Sequence, residues 1–185
     1  MNFIPEQPKA LTNVPYFEDV SGDSGWQGQT TGKSVETLKS EITSAISRLG
    51  GMVVGFQKGV FQIEEIQREG FRVHYTIEAP DGKLIRGRWG IAALPIKKYR
   101  RSFRGTDRRQ EQSLKMALYM LRDAINGLWF LQQLSPGYAP LMPFMLADKE
   151  HTISELWSKS PVMSRLLPPG EDSDFIEGEV KEIKP

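Results

Sequence analysis

The chain has 185 residues, of which 39% are hydrophobic and 25% are charged, a composition typical of one folded domain. It has no cysteine, which excludes disulfides, thiolate nucleophiles and cysteine metal sites. No apolar run reaches the roughly 20 residues that a membrane span needs, and the first residues lack the cationic and then apolar pattern of a secretory signal. We therefore expect a soluble, cytoplasmic protein that does not enter a membrane.

Composition divides the chain into three parts. Residues 1–30 are rich in proline, glycine, serine, asparagine and aspartate and are predicted to form a flexible arm that docks locally through scattered aromatic residues. Residues 31–168 are predicted to form a single α+β domain. Residues 169–185 carry six acidic and two basic residues and are predicted to be an acidic disordered tail, with a short protein-binding motif as the alternative.

The first predicted helix spans Val35 to Leu49, where apolar residues recur every three or four positions. Gly50-Gly51 is predicted to end it, because glycine tolerates the left-handed conformation of a helix cap. The next segment is predicted to be extended, with one strand over 52–56, a kink at Lys58-Gly59 and a second strand over 60–66.

A β-hairpin is predicted to follow a turn at Glu69-Gly70. Apolar and polar residues alternate over 71–78, which is the pattern of a strand with one buried and one solvated face. The partner strand is predicted over 84–93. Pro80-Asp81-Gly82 between them predicts a three-residue loop with a bulge, since proline presets the first turn position and glycine accepts a positive φ.

The hairpin register follows from placing every large apolar side chain on one face. The other face then becomes cationic, with Arg72 beside the opposed polar pairs. The register predicts these opposed pairs: Phe71 with Ile91, Val73 with Trp89, His74 with Arg88, Thr76 with Arg86, and Ile77 with Ile85.

The segment from Ile96 to Arg109 is predicted to be a basic loop. It contains seven cations against the single acid Asp107, with Tyr99 and Phe103 among them. Cations that track phosphates and rings that stack on bases are what a single-stranded nucleic acid requires. A solvated surface loop whose aromatic residues reach the core is the alternative.

The basic loop and the cationic hairpin face are expected to converge on one nucleic-acid-binding surface. Its candidate residues are Arg72, Arg86, Arg88, Lys97, Lys98, Tyr99, Arg100, Arg101, Phe103, Arg104, Arg108 and Arg109.

A long helix is predicted to begin with Thr106 or Asp107 as its cap and to run to Leu134. Its apolar stripe is wide enough to need cover on more than one side. The proline-rich segment over 135–146 is predicted to lie across this helix as irregular cover or to form an intersubunit contact. The fold class is therefore α+β: a helix, a three- to four-stranded antiparallel β-meander, and a long helix packed on the sheet.

No catalytic, metal or cofactor site is expected. His74 and His151 are the only histidines; they lie in unrelated elements and belong to no spaced set of metal ligands. Neither Glu64-Glu65 nor Asp123 belongs to a recognisable acid–base pair. The chain is therefore expected not to be an enzyme.

Residues 34–131 resemble the phage-type single-strand DNA annealing superfamily. The similarity lies in the order of elements and in two stretches of the long helix, Glu111–Ala117 and Arg122-Asp123-Ala124. The spacing between Lys115 and Asp123 is longer than in that family, so no individual residue role is transferred. The resemblance implies homo-oligomeric rings or filaments with single-stranded DNA in a basic groove.

These observations predict a non-catalytic protein that binds single-stranded nucleic acid, as an annealing or recombination factor of phage or mobile-element type. The alternative is a protein-interaction module, accessory or inhibitory, that meets its partner through Tyr138–Leu146 and the long helix. In that case the basic loop would face an acidic protein.

Overall fold

The computed structural model describes residues 14–63, 66–79, 81–97, 103–135 and 137–159. The fold is α+β, as predicted, with two helices on one face of a three-stranded antiparallel sheet. The main elements are α1 (Val35–Arg48), β1 (Gly51–Ile63), β2 (Ile66–Glu78), β3 (Leu84–Ala92), α2 (Phe103–Leu134) and α3 (Ile153–Lys159).

Helix α1 begins at the predicted residue, Val35, and ends at Arg48, one residue before the predicted end. The Ser34 hydroxyl caps it by accepting a hydrogen bond from the Thr37 backbone N–H at 3.0 Å. Gly50 follows it with φ +84°, the left-handed conformation that glycine adopts without strain. Leu38, Ile42 and Ile46 are completely buried, so the apolar stripe of α1 forms part of the core.

The sheet has the strand order β1-β2-β3, and all five predicted pairs between β2 and β3 are confirmed. The predicted loop is also confirmed, because the Ala79 N–H donates to the Lys83 carbonyl at 2.8 Å and Gly82 has φ +79°. Tyr75, Val73 and Trp89 are buried on the inner face. The opposite, outward-facing side of the sheet, called the outer face below, carries the polar side chains.

Two predicted breaks in the extended segment were wrong. The chain does not kink at Lys58-Gly59, because β1 is continuous there and its irregularity lies between Val53 and Gly55. Glu69-Gly70 is not a turn, because Gly70 lies inside β2 between Gly59 and Ala92. Glycine is needed at position 70 for packing, since a side chain there would meet the Phe61 ring and the backbone of β3.

Helix α2 begins at Phe103, ahead of the predicted caps Thr106 and Asp107. The guanidinium of Arg109 donates to the Gly105 carbonyl at 3.1 Å, which supports the added first turn. The predicted basic loop is therefore helical over 103–109. The buried apolar residues of α2 are Leu114, Met116, Ala117, Leu118, Leu121 and Ile125.

The segment after α2 covers the sheet and then crosses the edge of β3. Leu141 is buried in the core, and the Phe144 ring stacks on Trp89 with centroids 3.9 Å apart. Met145 bridges to Gly87, and the Leu146 N–H donates to the Arg86 carbonyl at 2.8 Å. The segment is irregular, as predicted, but it packs on Trp89 of the sheet where cover across α2 was predicted, and it brings α3 to the outer face.

Residues 14–34 pack against the far side of α2. Phe17 and Val20 are buried with Leu94 and Met116 in a second apolar cluster. The Phe17 N–H donates to the Pro95 carbonyl at 2.8 Å, so this part of the predicted arm is docked. The rest of the arm and the predicted acidic tail at 169–185 lie outside the described residues.

Candidate nucleic-acid interface

Four of the predicted binding residues, Lys98, Tyr99, Arg100 and Arg101, lie outside the described residues. Two others, Phe103 and Arg104, form the first turn of α2, and their side chains are likewise not described. The remaining six are divided between the outer face of the sheet and the region where β3 leads into α2. These six residues differ in whether they form an ion pair with a carboxylate of the described residues.

Arg72, Arg86 and Arg108 are exposed. None of the three has a carboxylate within 4.0 Å among the residues that the structure describes. Arg72 and Arg86 lie on the outer face, on β2 and β3, while Arg108 lies on the second turn of α2. These three guanidinium groups can therefore bind an anion without first breaking an ion pair to any residue that the structure describes.

Arg88 is held by α3. Its guanidinium donates to both carboxylate oxygens of Glu155, at 3.0 and 2.7 Å, and only 12% of its side chain is exposed. A single terminal nitrogen, Nη2, makes both contacts, and hydrogen bonds between charged groups are stronger than those between neutral groups. A phosphate could reach Arg88 only by displacing Glu155.

Lys97 and Arg109 are held by acids of the N-terminal segment. The Arg109 guanidinium donates to Glu18 at 2.6 Å, and the Lys97 ammonium pairs with Asp19. The Glu18 carboxylate also accepts the Lys97 backbone N–H at 3.0 Å. The docked segment therefore neutralises part of the positive charge where β3 leads into α2.

His74 lies between the arginines of the outer face. Burial lowers the pKa of its imidazole, and the neighbouring charges of Arg88 and Arg72 lower it further. The ring is therefore neutral near pH 7, and its Nε2 lies 3.4 Å from the Gln57 side-chain oxygen. His74 contributes a hydrogen-bonding group to the outer face and no charge at that pH.

Phe61 is an aromatic residue on the outer face that the sequence prediction missed. Its half-buried ring lies over the glycines at positions 70 and 90, which have no side chains to displace it. The Arg72 guanidinium lies 5.8 Å from the ring centroid, within the range of a cation–π interaction. The alternation of faces along a strand could have indicated this position. Phe61 pairs with Arg68, and Arg68 and Arg72 lie on the same face of β2, so Phe61 shares that face.

Arg68 is a second residue that the sequence prediction missed. It lies at the start of β2, and its guanidinium donates to the carbonyls of Ala93 at 2.7 Å and Ala92 at 3.1 Å. Arg68 thus lies between the outer face and the residues that follow β3, which include Lys97. No sequence motif indicated a role for Arg68, because its hydrogen bonds depend on where β3 ends in the fold.

The described ranges contain no group of three or more histidine, aspartate or glutamate residues arranged to hold a metal ion. None of the helices in those ranges is both long enough and apolar enough to cross a membrane.

No protein-family model matches the chain, and neither the curated proteins nor the solved structures include one with significant similarity to it.

Proposed function

We propose that the chain is a non-catalytic protein that binds single-stranded nucleic acid across the outer face of its sheet and the first turns of α2. The observation that carries this proposal is the set of three exposed arginines, Arg72, Arg86 and Arg108, without carboxylate partners in the described part of the chain. Exposed guanidinium groups that are not engaged with a carboxylate suit a chain of phosphates.

The form of the outer face favours a single strand. The glycines at positions 55, 59, 70 and 90 lie on the outer face of the sheet. Because glycine has no side chain, the surface between the arginines is low at these positions. The Phe61 ring beside Arg72 offers a face for base stacking. Bases are available for stacking when the strand is unpaired, whereas a duplex buries them.

The resemblance to the annealing superfamily extends the proposal to strand annealing or recombination by several copies of the chain. The helix-sheet-helix order of the fold agrees with that extension. The same order of elements also occurs in unrelated folds, so a binding experiment is the first test of the proposal.

The proposal is tested by fluorescence anisotropy with a labelled oligothymidylate at two salt concentrations and with a duplex as control. We expect tight, salt-sensitive binding that prefers the single strand. The double variant Arg72→Gln/Arg86→Gln is expected to weaken binding about tenfold at low salt. It should also reduce the log–log salt slope by about 1.4, since each phosphate contact to a single strand contributes roughly 0.7.

The matched control is Lys83→Gln/Lys149→Gln, which removes the same charge at two exposed positions outside the proposed binding residues. We expect its salt slope to equal that of the wild type. An equal loss of affinity in the two double variants would show that only net charge matters. Absence of oligonucleotide binding by the wild type at low salt would overturn the proposal.

Removal of the Glu155 carboxylate is expected to strengthen binding. In Glu155→Gln the side chain keeps an oxygen that can accept the Thr152 N–H, now bonded at 2.8 Å, but no longer neutralises Arg88. We expect the affinity for the oligonucleotide to rise about threefold, measured by the same anisotropy titration.

Glu36→Gln controls for the change in net charge, because Glu36 pairs with Lys39 on α1, away from the outer face. Its affinity should be close to that of the wild type. An unchanged affinity in Glu155→Gln would mean that Arg88 serves only to attach α3.

A protein-interaction module is the second candidate, and exposed apolar residues favour it. Phe130, Leu131 and Leu134 are 58%, 50% and 79% exposed at the end of α2. Tyr138 and Met142 are exposed nearby, whereas Leu141 of the same segment is buried. A low-salt purification without ultraviolet absorbance from nucleic acid, together with a negative anisotropy result, would favour this candidate.

A further inference from the structure

Arg68 projects into a surface cavity of about 820 Å³ between β2 and the chain that leaves β3. The volume lies within the range of about 300 to 1,000 Å³ that ligand sites occupy. Tyr16, Gln67, Lys97 and Gln110 contribute to its lining. The cavity is therefore formed jointly by the sheet, the docked N-terminal segment and α2.

No carboxylate of the described residues balances the charge of the Arg68 guanidinium. Its two hydrogen bonds go to neutral backbone carbonyls, and no carboxylate of the described ranges lies within 4.0 Å of it. Burial lowers the pKa of this arginine, as expected for a cation that has lost water without gaining a counter-ion. An anion in the cavity would supply that counter-ion.

The groups around Arg68 fit a nucleotide better than a simple anion. Tyr16 is 43% exposed, and the Lys97 ammonium lies 5.8 Å from the centroid of its ring. An exposed ring can stack on a base, and the amides of Gln67 and Gln110 each offer a donor and an acceptor to base edges. Glu69, which also lines the cavity, is paired with Lys58 at 3.3 Å.

We propose that this cavity is a nucleotide subsite in which Arg68 binds a phosphate group and Tyr16 stacks on the attached base. The inference rests on the proposed function in one respect, namely that the nucleotide belongs to a bound single strand. Arg68 lies on the same outer face as Arg72, four residues away along β2. A strand that crosses the outer face would therefore enter the cavity at its end.

A titration monitored by NMR tests the subsite directly, with the Nε–H signal of Arg68 and the ring signals of Tyr16 as reporters. The probes are inorganic phosphate, thymidine and thymidine 5′-monophosphate. We expect phosphate to shift the Arg68 signal, thymidine to shift the Tyr16 signals, and the nucleotide to shift both. Absence of a shift at Arg68 with phosphate and nucleotide alike would overturn the inference.

Two variants extend the test to the strand. Arg68→Gln removes the charge but keeps an amide that can donate to the Ala93 carbonyl. It is expected to weaken oligothymidylate binding about tenfold and to lower the log–log salt slope by about 0.7. Arg68→Lys keeps the charge but loses the fork of donors, so we expect a wild-type salt slope and a smaller loss of affinity. Lys83→Gln is the control for net charge, and thermal melting establishes that each variant is folded.

The failure of the subsite and the failure of the proposed function give different results. Oligonucleotide binding by the wild type, with Arg68→Gln equal to it and no NMR shift at Arg68, would overturn the subsite and leave the proposed function standing. A nucleotide-dependent shift at Arg68 without oligonucleotide binding would support the subsite for free nucleotides and overturn the proposed function. If Arg68→Gln does not fold, the wild-type titration and Arg68→Lys decide the question.

Discussion

Replacement of Gly70 by alanine is expected to lower the free energy of unfolding by about 3 kcal/mol, the upper end of the usual cost of overpacking. A Cβ at this position would lie 2.1 Å from the Ile91 carbonyl oxygen, 2.7 Å from the Phe61 ring and 2.9 Å from the Ala92 Cα. Two of these neighbours are backbone atoms of β3, so relief requires the strands to separate. Urea denaturation followed by circular dichroism measures the effect.

Gly59→Ala is the matched control, because Gly59 is the direct partner of Gly70 in β1 and a Cβ there meets nothing within 4 Å. Alanine is favoured over glycine in a strand by roughly 0.5 to 1 kcal/mol, so this variant should be as stable as the wild type or slightly more stable. Equal stability of the two variants would contradict the close packing of Phe61 over Gly70.

Replacement of Leu118 by alanine is expected to destabilise the protein by about 3 kcal/mol, within the range found for buried leucines. Leu118 is completely buried on α2 and belongs to the core cluster that also contains Leu38 of α1 and Val73 of β2. The truncation leaves a cavity where both helices meet the sheet. The same denaturation experiment gives the size of the effect.

Leu134→Ala is the control for this truncation, because Leu134 is on the same helix but 79% exposed. We expect a change of less than about 0.5 kcal/mol, which is usual for surface positions. A small effect of Leu118→Ala would mean that the core repacks around the lost side chain, contrary to the tight arrangement of α1, α2 and the inner face.

The fold was predictable where the sequence pattern has a single physical interpretation. The alternation over 71–78 and the Pro-Asp-Gly loop together allow only one hairpin register that keeps Val73 and Trp89 on the same face, and the structure has that register. The stripe of α1 is followed by Gly50-Gly51, and the structure has the predicted helix end there. Local chemistry is sufficient in these cases.

Glycine misled the sequence prediction where its role is tertiary. The glycines at 59 and 70 suggested a kink and a turn, yet both lie inside strands. Gly70 makes room for Phe61, a residue nine positions earlier in the chain. A local pattern cannot distinguish a glycine that bends the chain from one that accommodates a ring from a neighbouring strand.

The state of the candidate site depends on contacts that no local pattern contains. Arg88 is neutralised by a residue 67 positions away and Arg109 by one 91 positions away. The sequence therefore indicated which face would be cationic, but it did not indicate which cations are held by acids. Arg68 was missed for the same reason, since its carbonyl partners lie 24 and 25 positions further on.

The segment that crosses the edge of β3 also bears on aggregation. An exposed sheet edge is a template on which strands of other molecules can add. Here the Leu146 N–H occupies the Arg86 carbonyl, and the stack of Phe144 on Trp89 anchors the segment beside it. A foreign strand could pair with this part of β3 only after that aromatic contact had been broken, so the irregular segment after α2 protects this part of the sheet edge against edge-to-edge pairing.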